Sequence, residues 1–393
     1  MIQRTVSKSG LSKATPNREA KRDTPASGQA GHPTPRKTGR GRAGPAFGAL
    51  DLGTNNCRLL IARPSRGGFR VVDAYSRIVR LGEGLTSNGA LSDAAVARTM
   101  KALRACSEKL RYHGVKSVRA VATEACRRAE NQADLLARAK AETGIELEVI
   151  SNWEEVCLAA DSCASLLDHS KSDALIIDIG GGSTEISWLT LRGEGDVDPS
   201  GRRHQVREWC SLPFGVVSLA ERYGGREVSR EAYEAMVAEV EAAARPFEQA
   251  HHLEQRARAG EIQIIGTSGT VTTLAGVHKR LRRYDRNQVD GSYLDRATVA
   301  AICRSIVAMD YRARERHGCI GRDRADLVIA GCAILEGLYR LWPAPGLHVA
   351  DRGLREGILM TLMREHRAEG REPAESRPAG PAPTEASLAE PGQ

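Results

Sequence analysis

The chain's 393 residues are 41% hydrophobic and only 4% aromatic, enough for two domains or one large one with cores of Leu, Ile, Val and Ala. Its net charge of +8 is matched by residues 1–46 alone, where ten Lys and Arg face only Glu19 and Asp23; the remaining body is near neutral, which argues against a dedicated nucleic-acid surface. Nine cysteines without a C-x-x-C pair or ligand-like histidine spacing read as buried, reduced thiols, and no run suits a bilayer span or signal peptide, so a cytoplasmic protein without a membrane partner is expected.

Residues 1–46 are rich in Ser, Thr, Gly, Pro and basic side chains, so a disordered basic leader is expected, with nonspecific polyanion contact as its one partner property. Phe47–Pro64 alternates as strand, turn and strand, and GFRVVDAYSRIVRLG continues as a third strand. From Ser92, SDAAVARTMKALRACSEKLRYHG is helical: Ser92 can cap it, apolar residues recur every three or four, and Gly114 closes it. VKSVRAVAT is a strand ending at Thr123, NQADLLARAKAETG a helix, IELEVIS a strand and WEEVCLAADSCASLL a helix. LIIDIGGGSTEI, from Leu175, repeats the strand–turn–strand device, and Arg192–Arg203 reads as a loop between strands. The second half continues with the helix SREAYEAMVAEVEAAARPFEQA, the strand IQIIG, the turn GTSGT and a helical VTTLAGVHKRL. Helices near 297–309 and 324–341 precede LHVADRGLREGILMTLM, and the Pro-, Ala- and Glu-rich tail over 367–393 is expected to be disordered. Strands alternate with helices and each half opens on the same hairpin, which predicts an α/β protein of two duplicated lobes, 47–172 and 173–366, with a cleft between them.

The two hairpins, ALDLGTNNCRLLIA from Ala49 and LIIDIGGGSTEI, carry the chemistry. A phosphate needs several N–H donors converging on one point, and glycine lets the backbone come close enough to supply them. In P-loops and dinucleotide folds the glycine turn opens a helix; here CRLLIA and TEISWL read as strands and no GK[ST] follows, so both of those readings fail. Asp51 precedes the first turn, Asp178 precedes the second and Glu185 follows it. Carboxylates beside a polyphosphate would repel it unless a divalent cation such as Mg²⁺ stood between them. The third turn, Gly266–Thr270, with Gly266, Ser268 and Gly269, opens a helix and offers an anion site at its N-terminus.

Two hairpin turns and a later glycine turn form the pattern of the actin/Hsp70/sugar-kinase superfamily. Within it, the sequence resembles the exopolyphosphatase/guanosine pentaphosphate phosphohydrolase (Ppx/GppA) family, on ALDLGTNNCRLLIA, VATEACRRAEN, ISNWEEVCLA, LIIDIGGGSTEI, LPFGVVSL, IIGTSGTVTTLAG and DRGLREGIL. The resemblance runs from about Phe47 to Met363 and implies two actin-like (ribonuclease H-like) lobes around a central active-site cleft. It implies that Glu155 is the general base for an attacking water and that Arg127 contacts the phosphoryl group. Trp153 and Val156 depart from the family's flanking residues, which keeps Glu154 as the alternative base. Asp178 and Glu185 resemble metal-associated acids; Gly181, Gly182, Ser183 and Thr184 resemble one phosphate loop, and Thr54, Asn55, Asn56 and Cys57, after Gly53, the other. With no further helical domains after the lobes, the chain resembles the family's short form. Many relatives act as dimers, so a homodimer is an expected state, although no interface is legible.

The implied reaction removes the terminal orthophosphate of inorganic polyphosphate, the 5′ phosphate of pppGpp, or both, by metal-assisted attack of a water that Glu155 activates. The alternatives are an ATP-dependent kinase or ATPase of the same superfamily, and a non-catalytic regulator that binds polyphosphate or guanosine penta- or tetraphosphate. No sugar-pocket Asp motif accompanies the turns, and Glu155, Arg127, Asp178 and Glu185 are all present, which favours hydrolysis.

Overall fold

The run Phe47–Leu52 forms strand β1 and turns through Gly53–Asn55 into β2 (Asn56–Ser65), which pairs with β3 (Gly68–Ile78). With β4 (Ser117–Ala122) and β5 (Leu147–Val149) these make a sheet ordered β3-β2-β1-β4-β5, antiparallel through the hairpins and parallel from β1 onward. The second half builds the same pattern from β6 (Asp173–Ile179), β7 (Thr184–Leu191), β8 (His204–Leu212), β9 (Ile262–Thr267), β10 (Tyr293–Asp295) and β11 (Gly346–Ala350). Its order is β10-β11-β9-β6-β7-β8, so β8-β7-β6-β9-β11 repeats the first sheet and β10 adds one antiparallel edge. The computed structural model describes residues 44–66, 68–193, 195–198 and 202–369. The expected disordered leader and tail lie outside these residues except for 44–46 and 367–369, the latter ending a helix.

Burial explains the strand sequences. Every residue of β6 is buried, as a strand covered on both faces requires, so DALIIDI reads as an unbroken apolar run between two acids. The Asp93–Tyr112 helix starts where Ser92 accepts the Ala95 N–H, and it buries Ala95, Met100, Leu103, Cys106 and Leu110 along one stripe. Ser151 likewise accepts the Glu154 N–H and sets the start of the Asn152–Cys163 helix.

The expected strands and long helices are present, and five elements are additions. The helices Glu124–Arg128, Val216–Tyr223, Glu254–Arg258 and Tyr311–Arg316 and strand β10 are too short for an apolar period to emerge. The third glycine turn differs from expectation: Gly266 and Thr267 belong to β9, and the Ser268–His278 helix follows without a connecting residue. The second half was expected to run to 366 as one lobe, yet the Leu354–Glu369 helix packs on the first sheet. Its Leu354, Ile358, Leu359 and Met363 join Phe47, Leu60 and Val121 in one cluster, because the outer face of β1 is apolar and otherwise uncovered.

Candidate active site

The two hairpin turns touch. A Cβ on Gly181 would lie 3.1 Å from Thr54 Cβ and 3.3 Å from the Asn55 backbone nitrogen, and one on Gly182 would lie 2.6 Å from Thr54 Oγ1. Only glycine permits that approach. Both turns are held by the segment that follows their hairpin. The Gly180 and Gly181 carbonyls accept the N–H groups of Val216 and Val217, and the Asn55 and Thr54 carbonyls accept those of Val79, Arg80 and Gly82. A trans peptide directs its N–H opposite its carbonyl, so the amides of Gly181, Gly182 and Asn55 point away from those tethers. Among the described residues none of these three donates to a backbone acceptor. Gly53, Thr54, Asn55, Asn56, Gly181, Gly182 and Ser183 line one cleft.

Asp51 and Asp178 face that cleft from the two sheets. Asp178 stands directly opposite Glu185 in the β6–β7 ladder, and Asp51 holds the equivalent position opposite Arg58. The two halves therefore differ in sign at matching sites. Burial raises the proton affinity of Asp51, while Arg58 and Arg355 oppose the rise. Asp178 is also raised by burial; the Ser268 hydroxyl opposes this and the nearby Asp51 adds to it. Glu185 is pushed up to about 7 by burial and by Asp178, although Ser211 Oγ donates to it at 3.1 Å.

Glu155 enters the same cleft from the first turn of the Asn152–Cys163 helix and is buried. Burial pushes its carboxyl well above the ordinary range, with Glu185 and Asp178 adding to the rise and Arg127 opposing it. Arg127 Nη1 donates to Glu155 Oε2 at 2.8 Å and to the Ile150 carbonyl at 2.9 Å, while Nε and Nη2 donate to Glu124 Oε2. The guanidinium thus clamps two carboxylates, and it does not line the cleft. Glu154 turns elsewhere and pairs with Arg119.

The Ser268–His278 helix points its N-terminus at the cleft through Ser268, Gly269 and Thr270. Ser268 holds φ at 70°, a left-handed conformation that costs a non-glycine residue roughly 1–2 kcal/mol. Arg324 lies over this end: its Nη1 donates to Thr273 Oγ1 at 2.9 Å, and its guanidinium carbon is 3.6 Å from where a Gly269 Cβ would stand. Among the described residues no carboxylate pairs with it.

Three expected residues are placed away from the cleft. Cys57 is fully buried beneath β2 beside Cys106, Thr184 spends its hydroxyl on the Phe214 carbonyl at 3.0 Å, and Gly266 is packed against Val271 and Leu347. Strand alternation explains Cys57: its neighbour Arg58 takes the cleft-facing side. Arg58, Thr123, Glu124, Thr273 and Arg324 line the cleft without having been anticipated. Arg58 left one legible mark, as the single charge in the apolar run CRLLIA; Arg324 left none.

The acids suit a cation in part. Asp178, Glu185 and Glu155 raise one another's proton affinity, as carboxylates do when charge that would balance them is missing. Among the described residues no three Asp, Glu, His or Cys side chains form a complete metal-holding group. That donor set fits an ion such as Mg²⁺, which is bound by one or two carboxylates with waters and substrate phosphate completing its shell.

Residues 60–366 match the model of the Ppx/GppA phosphatase family. A Mycobacterium tuberculosis protein named Exopolyphosphatase 2 is 31% identical over 333 residues, covering 80% of this chain and 97% of its own. A Vibrio vulnificus protein named Guanosine-5'-triphosphate,3'-diphosphate pyrophosphatase is 26% identical over 337 residues, covering 83% of this chain and 61% of its own. Among solved structures, an Aquifex aeolicus member of the Ppx/GppA protein family is similar with a TM-score of 0.65 at 27% identity, covering 84% of this chain and 99% of its own. A Cytophaga hutchinsonii exopolyphosphatase is alike in fold, with a TM-score of 0.71 at 24% identity over 82% of this chain and 98% of its own.

Proposed function

The chain belongs to the Ppx/GppA phosphatase family, and from that premise we propose that it hydrolyses the terminal phosphoanhydride of inorganic polyphosphate, the 5′ phosphoanhydride of pppGpp, or both. Its fold is the actin-like α/β architecture of that family. The contact between Gly181–Gly182 and Thr54–Asn55 carries the reading. It brings two sets of untethered amides to one point, where an anionic chain end would be held by backbone donors.

Phosphoryl transfer asks mainly for positioning and charge neutralisation. The terminal phosphoryl group would rest on the two turns and on the N-terminus of the Ser268–His278 helix, with Arg324 beside it. Glu155, held by Arg127, would take a proton from a water that attacks the terminal phosphorus. One P–O bond forms, the bridging P–O bond breaks, and orthophosphate and the shortened anion leave. Asp178 and Glu185, with Asp51 across the cleft, would hold a divalent cation, which when bound supplies positive charge against the phosphate oxygens. In this reading Arg127 is a positioning residue for the base, because its donors are engaged by Glu124, Glu155 and Ile150.

Phosphate release measured in parallel from long-chain polyphosphate, pppGpp and ATP, with Mg²⁺, tests the proposal. Turnover of polyphosphate or pppGpp that Glu155→Gln abolishes is expected. Release from ATP alone would place the chain with the superfamily's ATPases, and tight binding without turnover would make it a sensor.

A further inference from the structure

Apart from the cleft, the helices Arg230–His251 and Arg296–Val307 both pack on the Val328–Leu341 helix. They leave a cavity of about 690 Å³ that shares no lining residue with the cleft. That volume falls among small-molecule sites, roughly 300–1,000 Å³. Its walls include Val299, Ala300 and Val307. Tyr339, in the same wall, is 6% exposed, and its hydroxyl is buried without a hydrogen-bond partner among the described residues. Arg296 and Cys303, which also line the cavity, bear on that hydroxyl, and burial keeps it protonated far above its ordinary range. It therefore has an O–H to donate. At the rim Arg340 is committed to Glu234, Glu241 and Glu336. Arg230, Arg296 and Arg304 are exposed, and among the described residues none pairs with a carboxylate.

Three ligand chemistries can be compared against those features. A bare phosphate would use the arginines and leave the apolar walls wet. An aliphatic acid would cover the walls and leave the Tyr339 hydroxyl buried without an acceptor, a costly state. A flat body with apolar faces, an acceptor on its edge and phosphate at its end meets all three demands. We propose that this cavity is a second binding site, for a nucleoside mono- or diphosphate, with the base between the valine walls, an edge acceptor on Tyr339 Oη, and phosphate on Arg296 and Arg304.

Calorimetric titration of the full chain with ADP and GDP, without divalent cation, tests this, with inorganic pyrophosphate and laurate as comparison probes. Saturable binding of one nucleotide is expected. R296A/R304A should weaken it by about tenfold or more, or ~1.4 kcal/mol, and Tyr339→Phe by about fivefold. The cleft variant R324A should leave it within about twofold, because the sites share no residue. Without ligand, Tyr339→Phe should unfold at the same or a higher temperature, since it removes a buried hydroxyl that lacks a partner. Four results would overturn the site: no saturable nucleotide binding, binding lost in R324A but kept in R296A/R304A, pyrophosphate binding as tight as ADP, or laurate binding in place of nucleotide. Polyphosphate hydrolysis by R296A/R304A is read separately, so loss of this site and loss of the hydrolase reading are distinguishable.

Discussion

Gly182 approaches Thr54 so closely that a methyl group on it would stand 2.6 Å from the Thr54 hydroxyl. The contact joins two turns 128 positions apart in the chain. Gly182→Ala must therefore separate the turns or displace Thr54, whose side chain is itself buried. Overpacking of this kind costs roughly 1–3 kcal/mol of stability. Misplacing the amides should cost far more in function: kcat/KM for polyphosphate is expected to fall by about 100-fold or more, or ~2.7 kcal/mol. Steady-state kinetics beside a thermal melt measure both; a variant that melts lower yet keeps its kcat/KM would remove the turn contact from catalysis.

Glu155 and Arg127 should separate binding from turnover. Glu155→Gln keeps the shape of the site and loses the base, so turnover should drop by about 10²–10⁴-fold while polyphosphate affinity stays within a few-fold. Arg127 opposes the rise in Glu155's proton affinity, so its loss should raise that affinity further. The acidic limb of the pH–rate profile of Arg127→Ala should move to higher pH, and Arg127→Lys should restore part of the shift. An unmoved limb would separate Arg127 from the base.

Glu185 makes stability depend on pH and cation together. Its folded-state value is raised to about 7 from an ordinary 4.5, so folding favours the protonated acid. The associated stability is present below about pH 4.5 and is lost as pH rises through 7, amounting to ~1–3 kcal/mol at full ionisation. Metal-free protein should melt at a lower temperature at pH 8 than this group allows at pH 5, and Mg²⁺ should restore more at pH 8. Glu185→Gln should flatten both effects; melts across pH with and without Mg²⁺ decide it.

Arg324 stands over the N-terminus of the Ser268–His278 helix with no carboxylate partner among the described residues. Its charge should serve substrate in the ground state and transition state alike. Arg324→Ala is expected to raise KM by about tenfold with a smaller change in kcat, and to lower the salt dependence of polyphosphate binding. A kcat loss with unchanged KM would give the residue a different role.

Much of the architecture was legible because strand burial and turn chemistry are local. The runs ending in Asp51 and Asp178, followed by small polar turn residues and a second strand, mark the two hairpins, and both form as expected. The long helices announced themselves through capping serines and apolar spacing, as at Ser92 and Ser151. Elements of three to eight residues, such as Glu124–Arg128, left no periodic trace. The Leu354–Glu369 helix shows an apolar pattern, but that pattern does not say which sheet will receive it.

From the sequence alone came the chemical kinds: glycines where backbone must approach, acids at strand ends, and a Glu-Glu pair opening a helix. Only the folded chain decided which of these meet. It set Gly181 against Asn55, gave Glu155 rather than its neighbour to the cleft, turned Cys57 into the core and Arg58 out of it, and brought Arg324 to Ser268. The reason is physical: residue type sets what a group can donate, accept or ionise, whereas proton affinity, side-chain direction and contact between turns depend on burial and on partners far away in the chain.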